Sequence, residues 1–344
     1  MPDNLMLGGL ISIVLLVLVL PFTVKKVEHN LEIFLFVMGL ASVLISQSLS
    51  TGLVLKALEE PIMITIAVFA FGVLFKVFKV QINTAIQSIQ NHIPAKILMF
   101  LIVVILGIIS SVITAIIAAL LLVEIIYNLK MDRKNEVNLT IISCFSIGLG
   151  AALTPIGEPL ATIVISKLNA DFWYLFVNFG EFIIPAIIGL GILAAFLIRP
   201  DQQSGLGLEG DQQEESYKEV FFRAFKIYLF VMALTFLGTG LKPIIDKFIL
   251  GLPSQLLYWI NMISAILDNA TLAAAEISDK MSLEQIRAIL MGLLISGGML
   301  IPGNIPNIIS ASKLNIESKE WAKLGVPLGL IIMLVFFVAI FFVL

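Results

Sequence analysis

Two carboxylates, Glu158 and Asp268, stand in stretches of sequence otherwise fit for the interior of a membrane. A carboxylate at bilayer depth costs about 2.5–3.5 kcal/mol on insertion scales unless it is protonated, paired or hydrated. A group that holds H⁺ when neutral and a metal cation when ionised makes the two ions compete. That competition is the simplest chemistry of antiport. Oxygen ligands of the kind a hard cation takes cluster around both carboxylates. Ser110, Ser111, Thr114 and Thr154 supply hydroxyls near Glu158, while Ser264, Asn269, Asn304 and Asn307 supply hydroxyl and amide oxygens near Asp268. The plainer alternative for each carboxylate is a cap on a half-helix N-terminus, where negative charge is favoured. Asn178 and Glu181, inside another apolar stretch, form a second tier with Ser110. Glu124 and Glu276 read as interfacial, and Glu59 and Glu60 as facing water at a helix end.

The elements that must position these groups are two short polar interruptions. One is Thr154-Pro155-Ile156-Gly157-Glu158-Pro159 and the other is Pro302-Gly303-Asn304-Ile305-Pro306-Asn307. Each carries two prolines four residues apart, follows a Gly-containing apolar helix, and is followed within seven residues by Ser-Lys-Leu (166–168 and 312–314). Proline removes a backbone donor and clashes with the preceding turn, so 139–168 and 285–312 each read as one crossing broken in the middle. Non-helical backbone at bilayer depth is tolerated only where protein buries it or it lines a water-filled cavity. A pair of such breaks in corresponding halves points to a transporter's binding site. Unwound carbonyls and negative helix ends suit a cation, and N-terminal ends suit an anion.

A membrane protein is required by composition: 59% of the residues are hydrophobic and 13% charged, with mean hydropathy +1.06. Apolar spans fall at 5–22, 31–50, 61–79, 172–198, 219–240 and 323–344, each near the ~20 residues of a crossing helix. The first span has no basic region before it and no small-residue cleavage site, so it does not read as a signal peptide. Residues 95–129 are too long for one span and are interrupted by Ser110-Ser111-Val112-Ile113-Thr114. They read as a re-entrant hairpin, as do 252–277 with Asn261, Ser264, Asp268, Asn269 and Thr271 at the tip. The fold expected is therefore an all-α polytopic membrane protein, an inverted-repeat transporter with two re-entrant hairpins and two broken transmembrane helices. Residues 1–199 form the first half, 200–216 a cytoplasmic linker, and 217–344 the second half.

Charge sets the orientation. Of the 21 Lys and Arg residues, six (Lys56, Lys167, Lys242, Lys247, Lys280 and Arg287) fall on one side of this path and fifteen on the other. The positive-inside rule makes the richer side cytoplasmic, with eight crossings and both termini outside. Pro155 and Pro159 match Pro302 and Pro306 at one constant offset, Ser111 matches Ser264, and Glu124 matches Glu276 to within one residue. Lys167 and Lys313 follow the breaks and read as interfacial. Cys144 stands alone, which excludes an intramolecular disulfide, and His29 and His92 in polar connections read as solvated. No H-E-x-x-H pair, G-x-S-x-G elbow or G-x-G-D motif is present, so no enzyme and no catalytic residue is expected.

Ser264-Ala-Ile-Leu-Asp268-Asn269 resembles the S-x-x-x-D-N hairpin signature of NhaD-type sodium/proton antiporters and arsenite-efflux permeases. Thr154-Pro155-Ile156-Gly157-Glu158-Pro-Leu-Ala-Thr162 resembles the S/T-P-I-G-D-x-x-T segment of the antiporters, with Glu158 where that family has Asp. Both belong to the ion transporter superfamily, which also holds divalent-anion/sodium symporters, and the whole chain is similar to an uncharacterised group of predicted prokaryotic cation transporters within it. The resemblance implies Na⁺ held at Asp268, Asn269 and Asn304 of the second break, and an ion-coupling role for Glu158 and Thr162. It implies Na⁺/H⁺ antiport by alternating access in a prokaryotic inner membrane, with Na⁺ and H⁺ as the ions moved and no other cofactor. A sodium-coupled symporter of a small anion is the alternative. The symporters' paired Ser-Asn-Thr motifs are absent, because the first tip has hydroxyls alone. The lipid bilayer is the expected partner, a homodimer is left open, and nucleic acid is not expected.

Overall fold

The computed structural model of the chain describes residues 3–28, 30–90, 93–129, 131–198, 217–249, 251–265 and 269–343. His29, His92, Asp268 and the linker 200–216 lie outside the described residues. Among the described residues the structure is helical, with no strand. The chain opens with α1 (Asp3–Thr23), α2 (Lys25–Glu28), α3 (Leu31–Ile45) and α4 (Thr51–Gln90). A pair, α5 (Ala95–Ile113) and α6 (Ala115–Leu129), precedes α7 (Arg133–Ala151), α8 (Pro159–Leu168) and α9 (Tyr174–Leu197). After the linker come α10 (Tyr217–Gly240) and α11 (Lys242–Ile244). A second pair follows, α12 (Ser254–Ile260) with a 3₁₀ turn (Asn261–Ala265), and α13 (Asn269–Glu276). The chain closes with α14 (Leu283–Gly297), α15 (Ile305–Lys313) and α16 (Ser318–Val338).

Among the described residues, four segments are long and apolar enough to cross a bilayer: Ala95–Ile113, Tyr174–Leu197, Val220–Gly240 and Ser318–Val343. Shorter apolar helices, among them Asn4–Val17, Glu32–Ile45 and Ala115–Leu129, accompany them. Large apolar side chains point outward, with Val177 and Phe196 each 71% exposed and Phe342 75% exposed. Water would penalise so much exposed apolar surface and lipid does not. The chain is a multi-pass membrane protein.

One helix departs from its expected bounds. The span 61–79 lies inside α4, a single helix of 40 residues, ~60 Å long at 1.5 Å per residue. Pro61 costs one bond of the ladder without stopping the helix, and its carbonyl accepts from Thr65 Oγ1 at 2.7 Å. An apolar window marks the part fit for hydrocarbon, not the helix ends.

From α5 onward the element order occurs twice, and the packing follows it. The first pair packs on the first broken helix (α5 on α7) as the second does on the second (α12 on α14). Likewise α4 packs on α6 as α10 does on α13, and α7 on α9 as α14 does on α16. The halves interlock reciprocally, α6 against α15 and α8 against α13.

The repeat has a register that the prolines do not show. Ala151 and Gly297 end the first half-helices, Gly157 and Gly303 close the breaks, and Glu158 and Asn304 are the N-cap residues of α8 and α15. All these pairs are 146 positions apart, whereas the prolines are 147 apart. The helix exits agree with 146. Asn169 (φ 49) and Asn315 (φ 51) both take the left-handed conformation that asparagine tolerates. The next residue bonds back five positions in each, Ala170 N to Ile165 O at 3.0 Å and Ile316 N to Ala311 O at 2.8 Å.

Candidate functional site

Each break is built the same way. Gly157 lies on the Ala151 carbonyl and Gly303 on the Gly297 carbonyl, so closely that a Cβ on either glycine would overlap backbone. The chain thereby doubles back to start the second half-helix beside the end of the first. The N-cap residues are extended, Glu158 at φ −154 and ψ 159, Asn304 at φ −152 and ψ 145, and neither side chain makes the capping bond to its own helix. Both are buried. The plain capping alternative for Glu158 therefore lacks its hydrogen bond.

The first tip sits at the level of its break. Thr114 joins α5 to α6 at φ 76 and ψ 149, a strained conformation for a β-branched residue. Ala115 N donates to Gly157 O at 2.8 Å, and Thr154 Oγ1 donates to the Ser111 carbonyl. Thr162 Oγ1, one helical turn beyond Glu158, donates to Pro155 O at 2.6 Å and so ties α8 back to the break. In the second half, the Ser264 carbonyl lies against Gly303, and Ser264 Oγ and Asn269 Nδ2 lie near Gly297. Asn307 Nδ2 donates to Gly297 O and Leu300 O, both at 2.9 Å. Its Oδ1 and Asn269 Nδ2 are buried without a hydrogen-bond partner. An unmet buried polar atom costs about 1–3 kcal/mol.

The two tips and the two N-caps meet at one small cavity of about 20 Å³, lined by Thr114, Gly157, Glu158, Asn269 and Asn304 together with apolar neighbours such as Ile116, Ile156 and Ile305. That is room for about one water or bare ion. Both halves wall this cavity, with a carboxylate at Glu158 and amides at Asn269 and Asn304. The Asn304 amide lies against Gly148 of α7, so closely that a Cβ there would push the amide aside. Four helix N-termini, those of α6, α8, α13 and α15, face the cavity. Their positive ends, each about half a charge, are opposed by the Glu158 carboxylate.

Thus Thr114, Gly157, Glu158, Asn269 and Asn304 come together, with Thr154, Ser264 and Asn307 bracing them. Ser110 and Ser111 do not turn their hydroxyls to the cavity. Ser110 Oγ donates to Gly107 O and Ile147 O, at 2.6 and 3.0 Å, and Ser111 Oγ to Ile108 O at 2.7 Å. Asn178 bonds its own helix through Tyr174 O, and Glu181, 48% exposed, pairs with Arg287 at 3.2 Å. Neither reaches the site.

Two charged residues are tied to other helices by side-chain bonds. Lys167 is held by backbone carbonyls. Its ammonium donates to Ala274 O and Ile277 O at the C-terminal end of α13, and to Gly238 O of α10 at 3.5 Å. A cation at a helix C-terminus is favoured by the dipole. Glu60 is bound to two other helices instead of facing water, and only long-range packing reveals it. No curated protein matches the sequence. A family model described as "Protein of unknown function (DUF1646)" matches residues 7–343, and the chain belongs to the DUF1646 family.

Proposed function

We propose that the protein is a secondary active cation transporter that exchanges Na⁺ for H⁺ by alternating access. The observation that carries this reading is the buried Glu158 carboxylate in a cavity shared by both tips and both breaks. When ionised it balances the helix N-termini and attracts a cation. When protonated it no longer does, so H⁺ and Na⁺ exclude each other. The Asn269 and Asn304 amides line the same cavity and offer neutral oxygens, and Asn307 Oδ1, in the second break, is a buried acceptor in need of a donor or a cation. Asp268, next to Asn269 in sequence, completes the cation ligands in this proposal.

The same reading includes an inverted repeat with two re-entrant pairs, related to the ion transporter superfamily. Support comes from the doubled element order, the reciprocal packing, and the level of the first tip: α8 runs ten residues beyond the break that Thr114 touches. It also includes a cytoplasmic linker at 200–216, outside termini and a prokaryotic inner membrane, for which charge counting is the support. A single cysteine at position 208 in a Cys144→Ser background reacts only from the cytoplasmic face if this orientation holds. Reaction only from outside reverses it.

One observation favours a second reading. Four N-termini facing one cavity suit a small anion, with the carbonyl ends of the half-helices left for a coupling cation. Vesicles separate the two. Adding Na⁺ or Li⁺ to acid-loaded proteoliposomes alkalinises the interior if the antiport reading is right. No alkalinisation, with Na⁺-dependent uptake of an oxyanion instead, selects the second.

A further inference from the structure

A second polar cavity enters the protein where α4 begins and α8 and α10 end. Its outer part is open, about 680 Å³, and is bordered by Lys56, Glu59, Glu60 and Ser166. It continues into a narrow part of about 40 Å³, where Glu60, Thr162, Lys167 and Thr235 line the walls. Lys56, Glu60 and Ser166 border both parts, which sets the two side by side along a polar passage proposed here to be continuous. At its inner end is Thr162, whose hydroxyl holds Pro155 inside the first break. The passage therefore runs from the surface to within one helical turn of Glu158.

Glu60 stands at the narrowing, its side chain 19% exposed. The carboxylate accepts from Ser166 Oγ of α8 and, at 2.6 Å, from Thr235 Oγ1 of α10. Lys56, half-exposed on the preceding turn, approaches to 3.5 Å. A carboxylate between two hydroxyls is an oxygen set for a hard monovalent cation, because each hydroxyl rotates to present a lone pair. The Lys56 pair is the exposed, weakly held kind that an arriving ion displaces into water at little cost. Just beyond, the Lys167 ammonium is fixed on the carbonyls of α13 and α10.

We infer that Glu60, with the Ser166 and Thr235 hydroxyls, binds a monovalent inorganic cation at the mouth of an access passage to the first break. The inference rests on the reading of the protein as a cation transporter, but the passage is testable without transport. Thr239 lines the narrow part on α10, so Thr239→Cys in a Cys144→Ser background reports traffic past Glu60. With 2-aminoethyl methanethiosulfonate, labelling is expected to slow about fivefold when NaCl replaces choline chloride, the scale of one partly screened charge contact. Adding Glu60→Gln, which keeps an oxygen acceptor for one hydroxyl and offers the other an amide N–H to accept, is expected to abolish that protection. Absence of labelling denies the passage, and labelling indifferent to Na⁺ with Glu60 intact denies the site. Either result overturns the inference. In flux assays Glu60→Gln is expected to raise the half-saturating Na⁺ concentration about fivefold. Protection by Na⁺ in a protein that carries no Na⁺/H⁺ flux would leave this site standing and overturn the proposed function instead.

Discussion

The two breaks share a backbone and differ in what it carries. In both, a glycine folds the chain back onto the preceding helix end, an extended residue caps a half-helix without bonding it, and an asparagine in the left-handed region lets the chain out. At the cap the first break has Glu158 and the second Asn304, an acid against an amide. The braces differ too. Thr162 holds the first break with one hydroxyl, and Asn307 holds the second with two bonds from one amide. The lesson is a division of labour within one architecture: the repeated backbone makes the cavity, and the cap residue, Glu158 or Asn304, sets what each break presents to it.

The comparison breaks first at the glycines. Gly157→Ala and Gly303→Ala each drive a Cβ into backbone that has no flexible end to move, so each is expected to cost about 3 kcal/mol or more. Thermal unfolding in detergent checks this. Similar losses support equivalent breaks, and a tolerated alanine at one of them shows that the backbones are not equivalent. The braces sharpen the contrast at smaller scale. Asn307→Leu strands two carbonyls and is expected to cost about 2 kcal/mol, whereas Thr162→Val strands one and costs about 1 kcal/mol. An equal or reversed order in denaturant titrations contradicts the assigned bonds.

The smallest effect belongs outside the membrane. The Lys242 ammonium beside Asp279, 3.4 Å away, holds that carboxyl below the usual carboxylate range. A depressed folded-state value gives stability that is present above the unfolded value and lost only as pH falls through the folded one. Asp279→Asn is thus expected to leave the pH dependence of stability between about pH 5 and 9 the same as in the wild-type protein. A change in that window would mean that a surface pair, not the buried site, carries the pH response.

Much of this arrangement was legible in the sequence, because prolines and glycines in apolar surroundings have few structural readings. The positions of both breaks follow from prolines paired with glycine, and the first tip from a polar interruption at 110–114 in a stretch too long for one span, of which α5 includes all but Thr114. The register did not follow from the prolines. Pro159 occupies the first position of α8 and Pro306 the second of α15, since a first turn accepts proline at either place. The repeated Ser-Lys-Leu-Asn, 166–169 and 312–315, carries the true offset, because it ends in the residue whose left-handed turn terminates both half-helices. The ties of Glu60 and Lys167 were not legible. They depend on which helix lies opposite, and a charge near a helix end looks the same in sequence whether it meets water or a neighbour's carbonyls.

The most direct test of a shared site with one charged cap is proton release on Na⁺ binding. Purified protein titrated with NaCl in weakly buffered detergent solution, with a pH indicator present, is expected to release protons saturably. Asn304→Ala is expected to weaken the Na⁺ dependence about tenfold while release persists. Glu158→Gln is expected to abolish release. Proton release that survives Glu158→Gln unchanged, or saturable Na⁺ binding with no release in the wild-type protein, would contradict the account.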